Sequence, residues 1–146
     1  MKYCRINLSQ TNYTLSTHAY VMTDKPVEQL KAIFKSYCEY KKFDGIMPIF
    51  DSQYIDPSNT VIGYSSNNKL VAFSLIRRYD EDNAESIQFA WDYKEPKLRL
   101  GIASLETECA LFKEMGYKYL YLGPVEEYKK KFNGYEEIGV ALFNSN

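Results

Sequence analysis

The chain has 146 residues, 45% of them apolar and 25% charged, ordinary globular usage that excludes a disordered or low-complexity protein. Such a length holds one domain with a real core and is short for two, so residues 1–146 are read as a single domain. A formal net charge of −1 does not announce a nucleic-acid binder, no stretch reaches the ~20 apolar residues of a membrane span, and the start Met-Lys-Tyr-Cys-Arg lacks a signal peptide's apolar run, which together predict a soluble cytoplasmic protein.

Three cysteines, Cys4, Cys38 and Cys109, are odd in number and widely spaced, which argues against a disulfide framework. With one histidine, His18, no zinc-type ligand cluster can be assembled, so no metal is expected. Cys109 falls in the middle of a helical pattern and reads as a small buried apolar residue.

In chain order, the first helix follows Asp24-Lys-Pro26. Pro26 suits a first turn, Glu28 the positive helix end, and Val27, Leu30, Phe34 and Tyr37 recur at helical spacing to about Tyr40. Residues 43–60, with Gly45, Pro48 and Pro57, read as a long connection with room for a short helix. Two strand-forming runs, Thr60–Ser65 and Leu70–Ile76, flank Ser66-Asn67-Asn68-Lys69, a hairpin signal. A polar turn, Arg78–Asn83, precedes a third strand, Ser86–Tyr93, so three antiparallel strands are predicted.

Next, Ile102, Leu105, Cys109 and Phe112 share one helical face, Gly116 stops that helix, and Tyr117–Leu122 is a further strand. Pro124 is predicted to open a last helix on which Val125, Tyr128 and Phe132 align. Asn133-Gly134 ends it, and Ile138–Phe143 forms a final strand. Lys129-Lys130-Lys131, the one basic run, reads as a solvated helix end. The fold class is α+β, a mixed, mostly antiparallel sheet flanked by helices.

That order resembles the GNAT superfamily of acyltransferases. Leu98-Arg99-Leu100-Gly101-Ile102-Ala103 resembles the superfamily's (Gln/Arg)-x-x-Gly-x-(Gly/Ala) turn; Gly101 and Ala103 match, and Leu98 departs from the pattern with Arg99 beside it. Small residues let backbone N–H groups approach a pyrophosphate, and the helix that starts there adds its positive end. The resemblance therefore implies a donor grip made by Arg99, Leu100, Gly101, Ile102, Ala103 and Ser104. Tyr128, ahead of Gly134-Tyr135-Glu136, is similar to the tyrosine that often protonates a leaving thiolate in the acetyltransferases.

Within the superfamily the chain looks most like the C-terminal catalytic part of arginyl-tRNA–protein transferases. The matching residues are Trp91-Asp92, Leu98-x-Leu100-Gly101-x-x-Ser104, Glu108, Tyr119-Leu-Tyr-Leu-Gly123, and Tyr128-Lys129-x-x-Phe132, which resembles that family's Y-K-x-x-F. That family's cysteine-rich cluster has no counterpart, and Pro124-Val-Glu-Glu127 stands where it carries Cys-Pro-Lys.

The resemblance implies attack of an amine on an activated ester or thioester. The donor is aminoacyl-tRNA or acetyl-CoA. The acceptor is an amine-bearing small molecule, a peptide or a protein N-terminus. Asp92 is the first choice for substrate binding or base work, with Glu85 and Glu95 as alternatives, and Trp91, Tyr93, Tyr121 and Glu108 are assigned to the substrate. Two other arrangements fit the same residues: an acetyl-CoA-dependent N-acetyltransferase, and a GNAT-like module that binds without catalysis. A homodimer formed by sheet extension is compatible with all three.

Overall fold

The computed structural model describes residues 2–41, 48–92 and 100–139. Seven strands form one sheet: β1 (Tyr3–Asn7), β2 (Ala19–Val21), β3 (Asn59–Ser66), β4 (Lys69–Arg78), β5 (Asn83–Trp91), β6 (Tyr119–Pro124) and β7 (Tyr135–Ile138). Three α-helices are described, α1 (Val27–Lys41), α2 (Asp51–Ile55) and α3 (Leu100–Glu114). The strand order is β2-β3-β4-β5-β6-β1-β7, and every neighbouring pair is antiparallel except β5 and β6. A parallel pair needs a crossover, and α3 supplies it.

Alternation along the strands assigns the two faces. In β4, Ala72 and Ile76 pack with Leu105, Cys109 and Phe112 of α3, while Phe73 and Leu75 pack with Leu30 and Ile33 of α1. Both clusters are made of buried side chains, and burying side chains of this size is worth roughly 1.5–3 kcal/mol each.

Local chemistry closes the elements. Pro26 accepts the first helical bond of α1 from the Leu30 N–H at 3.0 Å. Asn67 and Asn68 have φ of 53° and 64° between the paired Ser66 and Lys69, the left-handed turn that suits a tight hairpin. At the end of α3, Gly116 has φ +95°, the Tyr117 N–H donates to the Phe112 carbonyl at 2.9 Å, and the two rings meet at 5.1 Å. That is a glycine-terminated helix end with its apolar contact. Gly134, at φ +78°, is the least replaceable glycine, because an added Cβ would come within 2.4 Å of the Asn7 carbonyl oxygen. Gly134→Ala should destabilise the fold by about 2–4 kcal/mol in chemical denaturation.

The structure departs from the expectations at several elements, among them β2, a three-residue edge strand that was not anticipated. β1 was not anticipated: it offers the core only two residues, Cys4 and Ile6, yet pairs on both sides, with β6 and β7. The α-helix expected from Pro124 is a short 3-10 turn, Glu127–Lys131; Pro124 is the last residue of β6. The final strand is β7, four residues starting directly after Gly134, and the expected end of that strand, residues 140–143, lies outside the described residues. Ile102 is 62% exposed and not on the core face of α3.

Candidate active site

β5 and β6 pair only over Asn83–Glu85 and Tyr119–Tyr121. Past that point they separate. A bulge lies where they part: Leu75 pairs with Gln88 and Ile76 with Ser86, leaving Ile87 as the extra residue. Because the Asp92 N–H donates to the Val71 carbonyl at 2.8 Å, the antiparallel alternation turns the N–H and C=O of Phe89 and Trp91 away from β4, toward the side that β6 has left. The Phe89 carbonyl there accepts from the Gln88 side-chain amide at 2.7 Å. The Phe89 ring meets Tyr64 at 6.0 Å and Tyr37 of α1 at 6.4 Å. Groups from both faces of the sheet thus converge on the gap.

The first turn of α3 opens beside this gap with no acidic residue to offset its positive end. Gly101 and Ile102 are exposed, Ala103 is half-buried, and a Cβ at Gly101 would meet nothing within 4 Å. Ser104 is different: it is buried and its hydroxyl donates to the Gly101 carbonyl at 2.9 Å, so it faces the sheet and not the helix mouth. Arg99, Tyr93 and Glu95 lie outside the described residues, as does the side chain of Leu100.

Trp91 and Asp92 end β5. Trp91 packs on the α3 side, while Asp92 is half-buried and accepts from Ser36 Oγ of α1 at 3.5 Å. Tyr121 lies on the α1 side of β6, where its hydroxyl accepts from Arg5 at 3.1 Å. The Arg5 guanidinium also donates to Glu136 at 2.8 Å and stacks 3.8 Å from the Tyr119 ring centroid, which holds Tyr121 rigidly. Glu85 pairs beside Tyr121 and accepts from Tyr79 at 2.6 Å. Of the substrate residues expected from sequence, Trp91 and Glu108 therefore share one face and Asp92 and Tyr121 the other.

Glu108 sits at the centre of α3, 1% exposed. Its Oε2 accepts from Ser74 Oγ at 2.7 Å, and Ser74 in turn lies 3.0 Å from the Tyr64 hydroxyl. Burial pushes the carboxyl up to about 7, against the lowering effects of the Ser74 and Ser86 hydroxyls. Oε1 makes no hydrogen bond of normal geometry. Ser74 was legible in the sequence as the one polar residue in the run Leu70–Ile76, a pattern that marks a buried hydroxyl in need of a partner.

Tyr128 is carried by the 3-10 turn after β6. The residue is 51% exposed, but its hydroxyl is shifted up to about 12, by desolvation first and then by Glu126, Tyr37, Glu108 and Cys4. It keeps its proton at neutral pH, as a proton donor to a leaving group must. The next residue, Lys129, was expected in solvent and is buried. Its ammonium donates to the carbonyls of Leu122 at 2.8 Å and Pro124 at 3.0 Å and to Glu126 Oε1 at 3.0 Å, using all three of its hydrogens. Phe132 closes the motif by packing edge-on against Tyr13 at 6.0 Å. The Y-K-x-x-F motif therefore clamps the end of β6 with lysine, anchors in the core with phenylalanine and leaves tyrosine outward.

A family model described as arginine-tRNA-protein transferase, C terminus, matches residues 10–137. The chain belongs to that family. Compared by sequence with curated proteins, it matches none. Among solved structures, this transferase-family chain is similar to L-PGS from Bacillus licheniformis (TM-score 0.64, 18% identity, covering 86% of this chain and 47% of that one). It is also similar to a putative GNAT-family acetyltransferase from Novosphingobium aromaticivorans (TM-score 0.65, 13% identity, 94% and 60%). A third is Saccharomyces cerevisiae N-myristoyltransferase with bound myristoyl-CoA (TM-score 0.65, 13% identity, 92% and 45%). At these identities the likeness establishes the GNAT fold, and the chain spans about half the length of L-PGS.

No group of three or more metal-ligating side chains occurs among the described residues, and none of the described helices is long and apolar enough to cross a membrane. A surface depression of about 440 Å³ lies between Asn12–Leu15 and the last two turns of α3, at the end of that helix away from the gap.

Proposed function

We propose that the chain transfers an aminoacyl group from a charged tRNA to a primary amine, the N-terminus of a protein or peptide being the acceptor that the family suggests. The reading takes residues 1–146 as one acyltransferase domain acting in the cytoplasm, where charged tRNA is found. Its main support is the family match over residues 10–137 on a fold whose parallel strands part beside the mouth of α3. The carboxyl ends of parallel strands are where α/β sheets bind ligands. An amine placed in the gap attacks the donor carbonyl, the N–H of Phe89 faces the developing oxyanion, and Tyr128 protonates the leaving oxygen.

One observation favours a second reading, acetyl-CoA-dependent N-acetylation. Gly101 and Ala103 leave the helix mouth open for a pyrophosphate, and the similar N-myristoyltransferase structures hold myristoyl-CoA. Thermal shifts separate the two. A ligand at 100 times its Kd adds about 2.7 kcal/mol, which raises the midpoint by roughly 5–10 °C at this size. Charged tRNA should shift the protein and free coenzyme A should not. A shift with acetyl-CoA alone would replace the first reading by the second.

Two substitutions test the site. Tyr128→Phe should lower kcat at least tenfold and leave the melting midpoint unchanged, because the residue is half exposed; an unaltered rate would remove Tyr128 from the chemistry. Gly101→Val has space for its side chain and relieves a helical glycine, so it should fold normally and lose donor affinity. Undiminished donor binding by this variant would refute a grip at the α3 mouth.

A further inference from the structure

The two edges of the sheet differ in charge. β7, at one end of the strand order, carries Glu136 and Glu137, and charged side chains are what keep an edge from pairing with another chain. β2, at the other end, is Ala19-Tyr20-Val21. It lies within residues 6–23, a run without Asp, Glu, Lys or Arg in a chain where those four make up 25%. Large apolar side chains stand exposed there instead: Leu15 ahead of the strand is 45% exposed, Tyr20 43% and Val21 49%.

The backbone of β2 is set for a further strand. The His18 carbonyl accepts from the Ser65 N–H at 2.9 Å, and the Met22 N–H donates to the Val61 carbonyl at 2.9 Å, so His18, Tyr20 and Met22 turn their backbone groups to β3. The antiparallel alternation then turns those of Ala19 and Val21 outward. The Ala19 N–H is taken by the Ser16 carbonyl at 3.1 Å. Among the described residues, Val21 is the outer position of β2 whose N–H and C=O both lack a partner. The edge is also held in place. The Ser16 N–H donates to Thr107 Oγ1 of α3 at 3.0 Å, and the Tyr20 ring lies over Gly63, where an added Cβ would come within 2.9 Å of it. On the α3 side, Leu15, Ala19, Val21, Ile62, Thr107 and Leu111 line an apolar notch.

We propose that β2 pairs antiparallel with β2 of a second copy of this chain, with Val21 on the twofold axis, so that one sheet runs through both copies. In that register Val21 and the partner's Val21 exchange both backbone hydrogen bonds, and their side chains lie side by side over the two notches. Tyr20 comes opposite the partner's Met22 on the other face. The charge pattern selects a second copy as the occupant. Across a twofold axis every group meets its own kind, so a charge there would face a like charge, and β2 carries none. Pairing β2 with β7 of a neighbour would set Glu136 and Glu137 against an edge without a cation and would grow an open fibre, whereas β2 with β2 closes at two copies. A ladder this short makes a weak dimer that follows concentration. Because β3 and β4 separate β2 from β5, the gap stays open in both copies, and the pairing stands independently of the transfer reading.

Sedimentation equilibrium of the intact chain should show a mass that rises with concentration from one copy to two and stops there. Hydrogen exchange followed by NMR should find the Val21 amide protected at high concentration and open at low, with the Met22 amide protected at both. Val21→Lys brings two ammonium groups together on the axis, and Val21→Pro removes the outward N–H from an edge position that tolerates proline. Both variants should keep the folded near-ultraviolet dichroism and sediment as single chains at every concentration, while Glu137→Lys on β7 should dimerise as before. A single-chain mass throughout, growth past two copies, or a dimer that survives in both Val21 variants contradicts the proposal. A dimer in which the Val21 amide stays open puts the contact on another surface and contradicts it too. Protection of Val21 that appears only on adding an extended uncharged peptide, to a chain that remains single, assigns the edge to a foreign strand and overturns the pairing of copies.

Discussion

Lys129→Met is expected to lower stability by about 3 kcal/mol, against less than ~0.5 kcal/mol for the adjacent Lys130→Met. Both lysines belong to the same basic run, but they sit in different media. The Lys129 side chain is 7% exposed and its ammonium satisfies two backbone carbonyls and Glu126. Methionine fills a similar volume and takes the ammonium donor from both carbonyls, leaving Pro124 only the weak Cys4 thiol, at about 1–3 kcal/mol each. Lys130 pairs with a Glu127 whose side chain is 90% exposed, and an exposed pair of that kind contributes little. Lys129→Arg should not rescue, because three acceptors converge on one point and a planar fork spreads its donors apart. Midpoints in urea check the pair of variants. Equal losses at the two positions would mean that the clamp does not hold the end of β6.

A second large effect is a fall in stability as pH rises from about 5 to 8. The Glu108 carboxyl has an ordinary value of 4.5 and is raised to about 7 in the fold, with burial as the main cause. The native state therefore holds a proton that the unfolded chain has already lost. The resulting stabilisation is complete below the unfolded value and disappears as pH passes through the folded one, a change on the order of 3 kcal/mol. Glu108→Gln keeps the shape and removes the titration. It should flatten the profile and exceed the unaltered protein in stability at pH 8. Parallel profiles for the two proteins would show that Glu108 ionises normally.

The legible parts of this fold were those whose signals are local and repetitive. The Asn67-Asn68 hairpin, the helix begun near Pro26 and the stop at Gly116 each follow from backbone preferences of a few residues. β1 was not legible, because a five-residue strand is defined by its two neighbours, over 110 residues away in sequence. The same reason hid the character of Lys129: its partners are carbonyls, which no side-chain pattern announces. The 3-10 turn was mistaken for an α-helix because Val125, Tyr128 and Phe132 do recur at helical spacing, while the short span between β6 and β7 admits only one tight turn.

For the site, motif resemblance marked Gly101, Trp91, Asp92, Glu108 and Tyr128 but not their grouping. Glu108 and Asp92 are both carboxylates from matching motifs, and only the topology shows them on opposite faces of the sheet. Tyr64 carried no signal of its own; it matters because strand register brings it to α3. Arg5 was likewise unmarked, since its partners Tyr119, Tyr121 and Glu136 come from the far end of the chain.

The central claim, that the parting of β5 and β6 beside α3 is an aminoacyl-transfer site, is tested most directly by incubating the protein with charged tRNA bearing a radiolabelled amino acid and a peptide with a free N-terminus. The account predicts label on the peptide amine, reduced at least tenfold in Tyr128→Phe and lost with donor binding in Gly101→Val. Label that stays on the tRNA, or that transfers equally well in both variants, would contradict it.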